Sequence, residues 1–198
     1  MMIIMVTIII SFLCGSIPTG YLIAKKFKGI DIRTKGSGNI GSTNVKRIVG
    51  TKLSIITQVI DALKGSIPII LGMYLARIMK LPISTDIYLS IIAISTILGH
   101  DYTPFLSFKG GKGVNTTLGT FILLAPIPTL IGIAFYFILR LFTNIVSIRS
   151  IVTGLSIPIM CVLMKVPVSI VMTSTIASIL IVFRHKENLI RLIHNEEN

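Results

Sequence analysis

The chain has 198 residues, 53% of them hydrophobic and only 13% charged, with no Trp and a mean hydropathy of +0.90. A water-soluble globule of that make-up would lack the polar side chains to cover its surface, so composition points to an integral membrane protein. The net charge of +12 does not signal nucleic acid, because the Lys and Arg residues sit between apolar runs and not on a soluble basic face or a disordered tail.

The N-terminal run MMIIMVTIIISFLCGSIPTGYLIA lacks the basic start of a secretory signal and is too long for its apolar part, so it reads as a retained first span. A hydrocarbon core of roughly 30 Å takes about 20 helical residues. On that measure spans are expected at 2–24, 53–79, 86–106, 114–126, 127–143, 148–164 and 166–183. The segment 114–126 is short, and its separation from the next rests on the two prolines of APIP (125–128), which favour a turn. One continuous helix there would make six spans. The expected fold is all-α: a single polytopic membrane domain over 1–198 with seven transmembrane helices. With the N-terminus outside, fifteen Lys and Arg fall on the cytoplasmic side against three outside, and the C-terminus is cytoplasmic. Cys14 and Cys161 lie in apolar runs and imply neither a disulfide framework nor a zinc site.

Three polar stretches then share one membrane face: 25–52, 107–117 and 184–198. The first holds KGSGNIGSTNVKR (35–47), a literal GxGxxG at Gly36, Gly38 and Gly41. A dinucleotide site needs a preceding strand and a βαβ unit, and both neighbours here are membrane spans. What remains suits a phosphate: glycines that let an anion approach, donors from Ser37, Asn39, Ser42, Thr43 and Asn44, and charge from Lys46 and Arg47. A flexible cytoplasmic loop is the plainer alternative.

The second span contains QVIDALKGSIP, in which Asp61 and Lys64 stand three apart and can pair on one helical face. A structural pair bracing the first loop is at least as good a reading as a catalytic one. Further on, GHDYTPFLSFKGGKGVNTTLG (99–119) carries KGGKG, which is not a Walker A loop because Gly113 follows the GK pair. It is still an anion cradle in kind: Gly110, Gly111 and Gly113 are expected to expose N–H groups, Lys112 to supply an ammonium, and a helix to begin at Val114 or Asn115. An interfacial Lys snorkelling to lipid phosphates is the competing account. In FRHKENLIRLIHNEEN (183–198), His185 and Asn188 are three apart, and a helix would put them on one face. They could hold an acyl carbonyl, orient a hydroxyl or brace a loop.

Other chemistries lack their parts. No GxSxG nucleophile elbow occurs, His100 and Asp101 are adjacent where an HxxxxD acyltransferase needs wider spacing, and the histidines and carboxylates show no HExxH or DxD grouping, so no metal is expected. A membrane carrier or binding protein for anionic lipids or sugar phosphates is the alternative class, but no clear internal repeat and no polar path across the bilayer stand out.

Taken together, GSIPTGYLIAK, GSGNIGSTNVKR, DALKG, LGHDYTPFLSFKGGKGVNTTLG and RHKENLIRLIHNEE, in this order and over essentially the whole chain, resemble the acyl-phosphate-dependent glycerol-3-phosphate acyltransferases, the PlsY family of bacterial inner-membrane enzymes. The resemblance implies transfer of a fatty acyl group from acyl phosphate to the sn-1 hydroxyl of glycerol 3-phosphate, giving lysophosphatidate and inorganic phosphate at the cytoplasmic face. It implies no cofactor. Ser37, Arg47, Lys112, His185 and Asn188 would be the principal functional side chains, with Asn39, Thr43, Asn44, Gly110, Gly111 and Gly113 supporting the phosphates. Membrane lipid surrounds the protein, and a soluble acyl-phosphate synthase is a candidate partner. His185 or a substrate phosphate could take the hydroxyl proton, and the resemblance favours the phosphate.

Overall fold

Proline and glycine punctuate a chain that otherwise prefers helix, and the computed structural model, which describes residues 2–194, 196 and 197, shows ten helices among them. Pro18 cannot donate to the preceding turn, and the first apolar run breaks there into α1 (Met2–Ser16) and α2 (Thr19–Lys28), which ends on a left-handed Gly29. A short 3₁₀ turn (Ile32–Thr34) and α3 (Ser42–Ile48) form the first polar loop. Then come α4 (Thr51–Ile78) and α5 (Thr85–Asp101), whose start is capped by the Ser84 hydroxyl. A second 3₁₀ turn (Pro104–Leu106) leads through the KGGKG loop to α6 (Val114–Leu124). The two prolines of APIP open α7 (Pro126–Leu139), so the expected break is present. The remaining helices are α8 (Val146–Leu163), α9 (Val168–Arg184) and α10 (Lys186–Ile193).

The expectation of seven transmembrane helices is corrected. Among the described residues, three helices can cross a membrane by length and composition: the α1–α2 unit (27 residues), α4 (28 residues) and α8 (18 residues). A fourth results only if α9 and α10 are joined across a 51° bend. Helices do occupy the other expected segments, but they are short. At 1.5 Å per residue, the 11 residues of α6 reach about 16 Å and the 14 of α7 about 21 Å, against a hydrocarbon core of roughly 30 Å. The Lys/Arg tally that put the N-terminus outside and the C-terminus in the cytoplasm assumed seven crossings, so with fewer it no longer sets the orientation.

Small residues let the helices approach closely. A β-carbon on Gly15 of α1 would lie 2.0 Å from the Thr96 carbonyl oxygen of α5, and one on Gly99 of α5 would lie 2.1 Å from that of Phe12. The same reciprocity joins α4 to α6, through Gly65 against Thr116 and Gly119 against Ala62. Such close backbone packing is the means by which apolar helices associate without a hydrophobic drive from lipid. The Ser66 hydroxyl adds a 2.7 Å hydrogen bond to the Gly119 carbonyl.

Asp61 and Lys64 pair as their spacing foretold, at 2.9 Å and almost wholly buried. The Lys64 ammonium also donates to the Ile17 carbonyl at 2.8 Å, and the Thr103 hydroxyl donates to that of Ser16 at 2.6 Å. Both carbonyls lie at the break around Pro18, where that of Ile17 also accepts the Thr19 N–H at 3.0 Å. The pair therefore braces the hinge that sends α2 toward the first polar loop, and its geometry is structural. Removing one member leaves a buried charge uncompensated, which costs more than removing both. Lys64→Met is accordingly expected to lower the melting temperature in detergent more than Lys64→Met with Asp61→Asn, as read by thermal unfolding of the purified protein.

Candidate active site

The first loop folds around one buried amide. Asn44, only 1% exposed, donates from Nδ2 toward the carbonyls of Ile32 (3.3 Å), Lys35 (3.0 Å) and Asn39 (2.9 Å), and its Oδ1 accepts the N–H of Ser37 at 3.1 Å. Asn39 in turn accepts the N–H of Gly41 at 2.8 Å. The loop opens at Asp31, whose carboxyl is pulled down to about 2 by hydrogen bonds from Arg33. Asn44 is thus a scaffold for the loop, and its amide is fully used. Ser37 and Asn39 stand at the rim of a pocket, whereas half-buried Thr43 and exposed Arg47 lie on α3 outside its lining.

That pocket, about 220 Å³, is lined from the first loop by Ser37, Gly38 and Asn39, from the second by Lys112, and from the C-terminal corner by Phe183, Arg184, Lys186, Glu187, Asn188 and Arg191. Three stretches far apart in sequence therefore meet at one end of the helices. Lys112 donates to the Asn188 side-chain oxygen. The Asn188 amide N–H donates to Glu197, which also accepts from Arg191 Nε at 2.8 Å. Burial works against the Glu197 charge, but hydrogen bonds from Asn188, Arg191 and Ser147 outweigh it and hold the carboxyl below its usual range. Lys112 is shifted down to about 8, first by burial and then by Arg191 and Arg184 nearby, with Glu197 and Glu187 opposing.

His185 sits at the corner between α9 and α10, buried. Its Nδ1 lies 2.8 Å from the Ile181 carbonyl. A carbonyl oxygen only accepts, so Nδ1 carries the proton and Nε2 keeps a lone pair. His185 is not in the pocket lining itself.

The KGGKG loop departs from expectation. The Gly110 N–H donates to the Asp101 carbonyl (3.2 Å) and the Gly111 N–H to that of His100 (3.0 Å). Neither donor is open to an anion. These glycines are needed for close approach: a β-carbon would lie 2.1 Å from the His100 carbonyl oxygen at Gly110 and 2.1 Å from His100 Nε2 at Gly111. Gly113, at φ 71°, turns the chain into α6, which begins at Val114 as foreseen. Arg184, counted in the sequence only as a positive charge, reaches both loop carbonyls and belongs to the pocket wall. Its position just before His185 is the one sequence signal that could have drawn notice.

Two outcomes follow from this geometry. Asn44→Ala removes four loop contacts at once and is expected to lower both stability and activity, while Thr43→Ala leaves the melting temperature unchanged; thermal unfolding and turnover measured side by side check this. Lys112 loses its charge as pH rises through about 8, so anion binding is strongest below that value. The affinity for inorganic phosphate, followed by titration from pH 6.5 to 9.5, is expected to fall on the alkaline side, and the fall is expected to vanish in Lys112→Ala.

Comparison with known proteins completes the picture. The family model described as glycerol-3-phosphate acyltransferase matches residues 5–195. The glycerol-3-phosphate acyltransferase of Clostridium acetobutylicum is 64% identical over 197 residues, covering 100% of both chains. That of Geotalea daltonii is 43% identical over 193 residues, covering 98% of this chain and 95% of its own. Among solved structures, the glycerol 3-phosphate form of PlsY, an integral membrane glycerol 3-phosphate acyltransferase, superposes with a TM-score of 0.90 at 34% identity, over 98% of this chain and 94% of that one. Its lysophosphatidic acid form gives 0.88 at 33% identity, with the same coverage. With a cationic pocket at one end of an apolar helix bundle, and with matches spanning nearly its whole length, this chain belongs to the glycerol-3-phosphate acyltransferase family.

Proposed function

We propose that this protein, acting as a single domain over residues 1–198, transfers a fatty acyl group from acyl phosphate to the sn-1 hydroxyl of glycerol 3-phosphate. The products are 1-acylglycerol 3-phosphate and inorganic phosphate, and the reaction is the first acylation of bacterial phospholipid synthesis. The observation that carries the reading is the pocket in which Lys112, bonded to Asn188, stands among Arg184, Lys186 and Arg191 at the end of an apolar bundle. Two phosphorylated substrates need such a cationic chamber, and one of them also needs lipid beside it.

The chemistry asks little of a protein nucleophile, because an acyl phosphate is a mixed anhydride with a good leaving group. The sn-1 oxygen attacks the acyl carbonyl carbon, the bond from that carbon to the phosphate oxygen breaks, and phosphate departs. Lys112 holds a phosphate group inside the pocket and Arg47, on α3 outside its lining, is assigned to the second phosphate, while Ser37 and Asn39 offer polar contacts at the rim. Gly113, and the loop built around Gly110 and Gly111, set where Lys112 points; Asn44 and Thr43 shape the first loop. Asn188 and His185 orient the glycerol phosphate or the reacting carbonyl, with His185 Nε2 free to accept the hydroxyl hydrogen bond. The hydroxyl proton passes to a substrate phosphate, whose second pKa is near 6 by analogy with phosphorylated side chains.

Lys112, Arg184, Lys186 and Arg191 line the pocket, and Lys and Arg favour the cytoplasmic side of the bacterial inner membrane. On the proposed reading the pocket opens to the cytoplasmic face, with membrane lipid against the apolar helices. A soluble acyl-phosphate synthase would meet that same basic end.

Detergent-purified protein given palmitoyl phosphate and glycerol 3-phosphate is expected to release phosphate and lysophosphatidate in equal amounts, with palmitoyl-CoA inert as donor. Lys112→Ala is expected to lose turnover by roughly 100-fold or more, the scale of a lost charge-stabilising donor. Background levels of both products with retained glycerol 3-phosphate binding would make the protein a carrier. His185→Asn is expected to leave the pH at which kcat rises unchanged; normal binding with turnover collapsed at every pH would assign the base to His185 instead.

A further inference from the structure

We propose that Arg184 is a positioning residue whose guanidinium fork holds the carbonyls of Gly110 and Gly111 and thereby fixes how Lys112 enters the pocket. The inference rests on the acyl-transfer reading for its kinetic consequences, but its geometry stands apart from that reading. Arg184 Nε donates to the Gly111 carbonyl at 2.9 Å and Nη2 to the Gly110 carbonyl at 3.0 Å. The N–H groups of the same two residues are bonded to α5 carbonyls on the opposite side. The peptide groups of Gly110 and Gly111 are therefore saturated on both sides, by the end of one helix and by a side chain from another.

Only arginine presents two parallel donors in a fixed plane, which is what two successive carbonyls require. The guanidinium is itself held, lying 5.1 Å from the centre of the Tyr102 ring, near enough for a cation–π contact. On the far side of Lys112, Gly113 turns the chain into α6 against the buried Asp101 carboxylate, 2.9 Å from where its β-carbon would be. Lys112 is thus pinned before and after, and its ammonium donates to Asn188, four residues beyond Arg184 in the same corner. Loop and corner are joined twice, once by Arg184 and once by the Lys112–Asn188 bond. A lysine at position 184 keeps the charge and loses the fork.

The test compares wild type, Arg184→Lys and Tyr102→Leu. For each, kcat and KM for glycerol 3-phosphate are measured with palmitoyl phosphate, the melting temperature is recorded, and Lys112 is titrated by competitive acetylation read by mass spectrometry. Arg184→Lys is expected to lower kcat at least tenfold, the order a small misplacement near the reacting atoms produces, with KM changed less than about twofold and folding retained. Its Lys112 is expected to titrate above the wild-type value of about 8, because an ammonium no longer aimed into the pocket is hydrated. Tyr102→Leu is expected to move both readouts the same way by a smaller amount.

Wild-type kcat and wild-type Lys112 titration in Arg184→Lys would overturn the inference. So would a tenfold rise in KM at unchanged kcat, which would make Arg184 a direct ligand of the substrate. Should Arg184→Lys fail to fold, Tyr102→Leu decides by the same criteria. The titration needs no turnover, so a wild-type protein inactive with acyl phosphate would sink the proposed reaction and still leave the clamp judged.

Discussion

A peptide group released from a helix inside an apolar bundle must find its hydrogen-bond partner within the protein, because lipid offers none. That constraint shapes the whole polar end of this molecule. Around Pro18 the carbonyls of Ile17 and Ser16 accept from Lys64 and Thr103. At the KGGKG loop the freed carbonyls are taken by Arg184, and the freed N–H groups by the end of α5. In the first loop a single amide, Asn44, satisfies three carbonyls and one N–H. The polar side chains of the region thus divide into those spent on backbone and those left for a ligand.

The division explains how so basic a pocket can be specific. Lys112, Lys186 and Arg191 line a space that anions of many kinds could enter. What narrows the choice is that Lys112 and Asn188 are held from behind, Lys112 by its loop and Asn188 by Glu197 on Arg191. A fixed array of donors favours the group whose oxygens match it, and costs no reorganisation when charge develops on those oxygens during acyl transfer.

Much of this was legible in the sequence, for reasons that can be named. The APIP break, the start of α6 and the Asp61–Lys64 pair all depend on local chemistry, namely proline's missing donor, a glycine-to-helix transition and a spacing of three. The meeting of Ser37, Lys112 and Asn188 was foreseen from polar stretches that seek one membrane face. The number of spans was not, since an apolar run shows that a helix prefers lipid and not how far it extends: α6 stops at Leu124 and α7 starts two residues on. Nor could the sequence tell that the Gly110 and Gly111 N–H groups were already engaged, because their partners are carbonyls of His100 and Asp101, brought alongside only when the loop folds back on α5. Arg47, expected among the principal functional side chains, lies on α3 outside the pocket lining.

Among the described residues, Phe183 is the one apolar side chain that lines the pocket. Under the proposed reaction such a chamber would take the polar head groups and leave the acyl tail to the surrounding hydrocarbon. Burying a methylene from water is worth about 0.8 kcal/mol, but a methylene that passes from bilayer to bilayer-facing helix changes almost nothing. Under the proposed reaction the enzyme measures the phosphate and the carbonyl and leaves the tail to the membrane, so the lipids it makes would inherit their chain lengths from whatever the cell supplies.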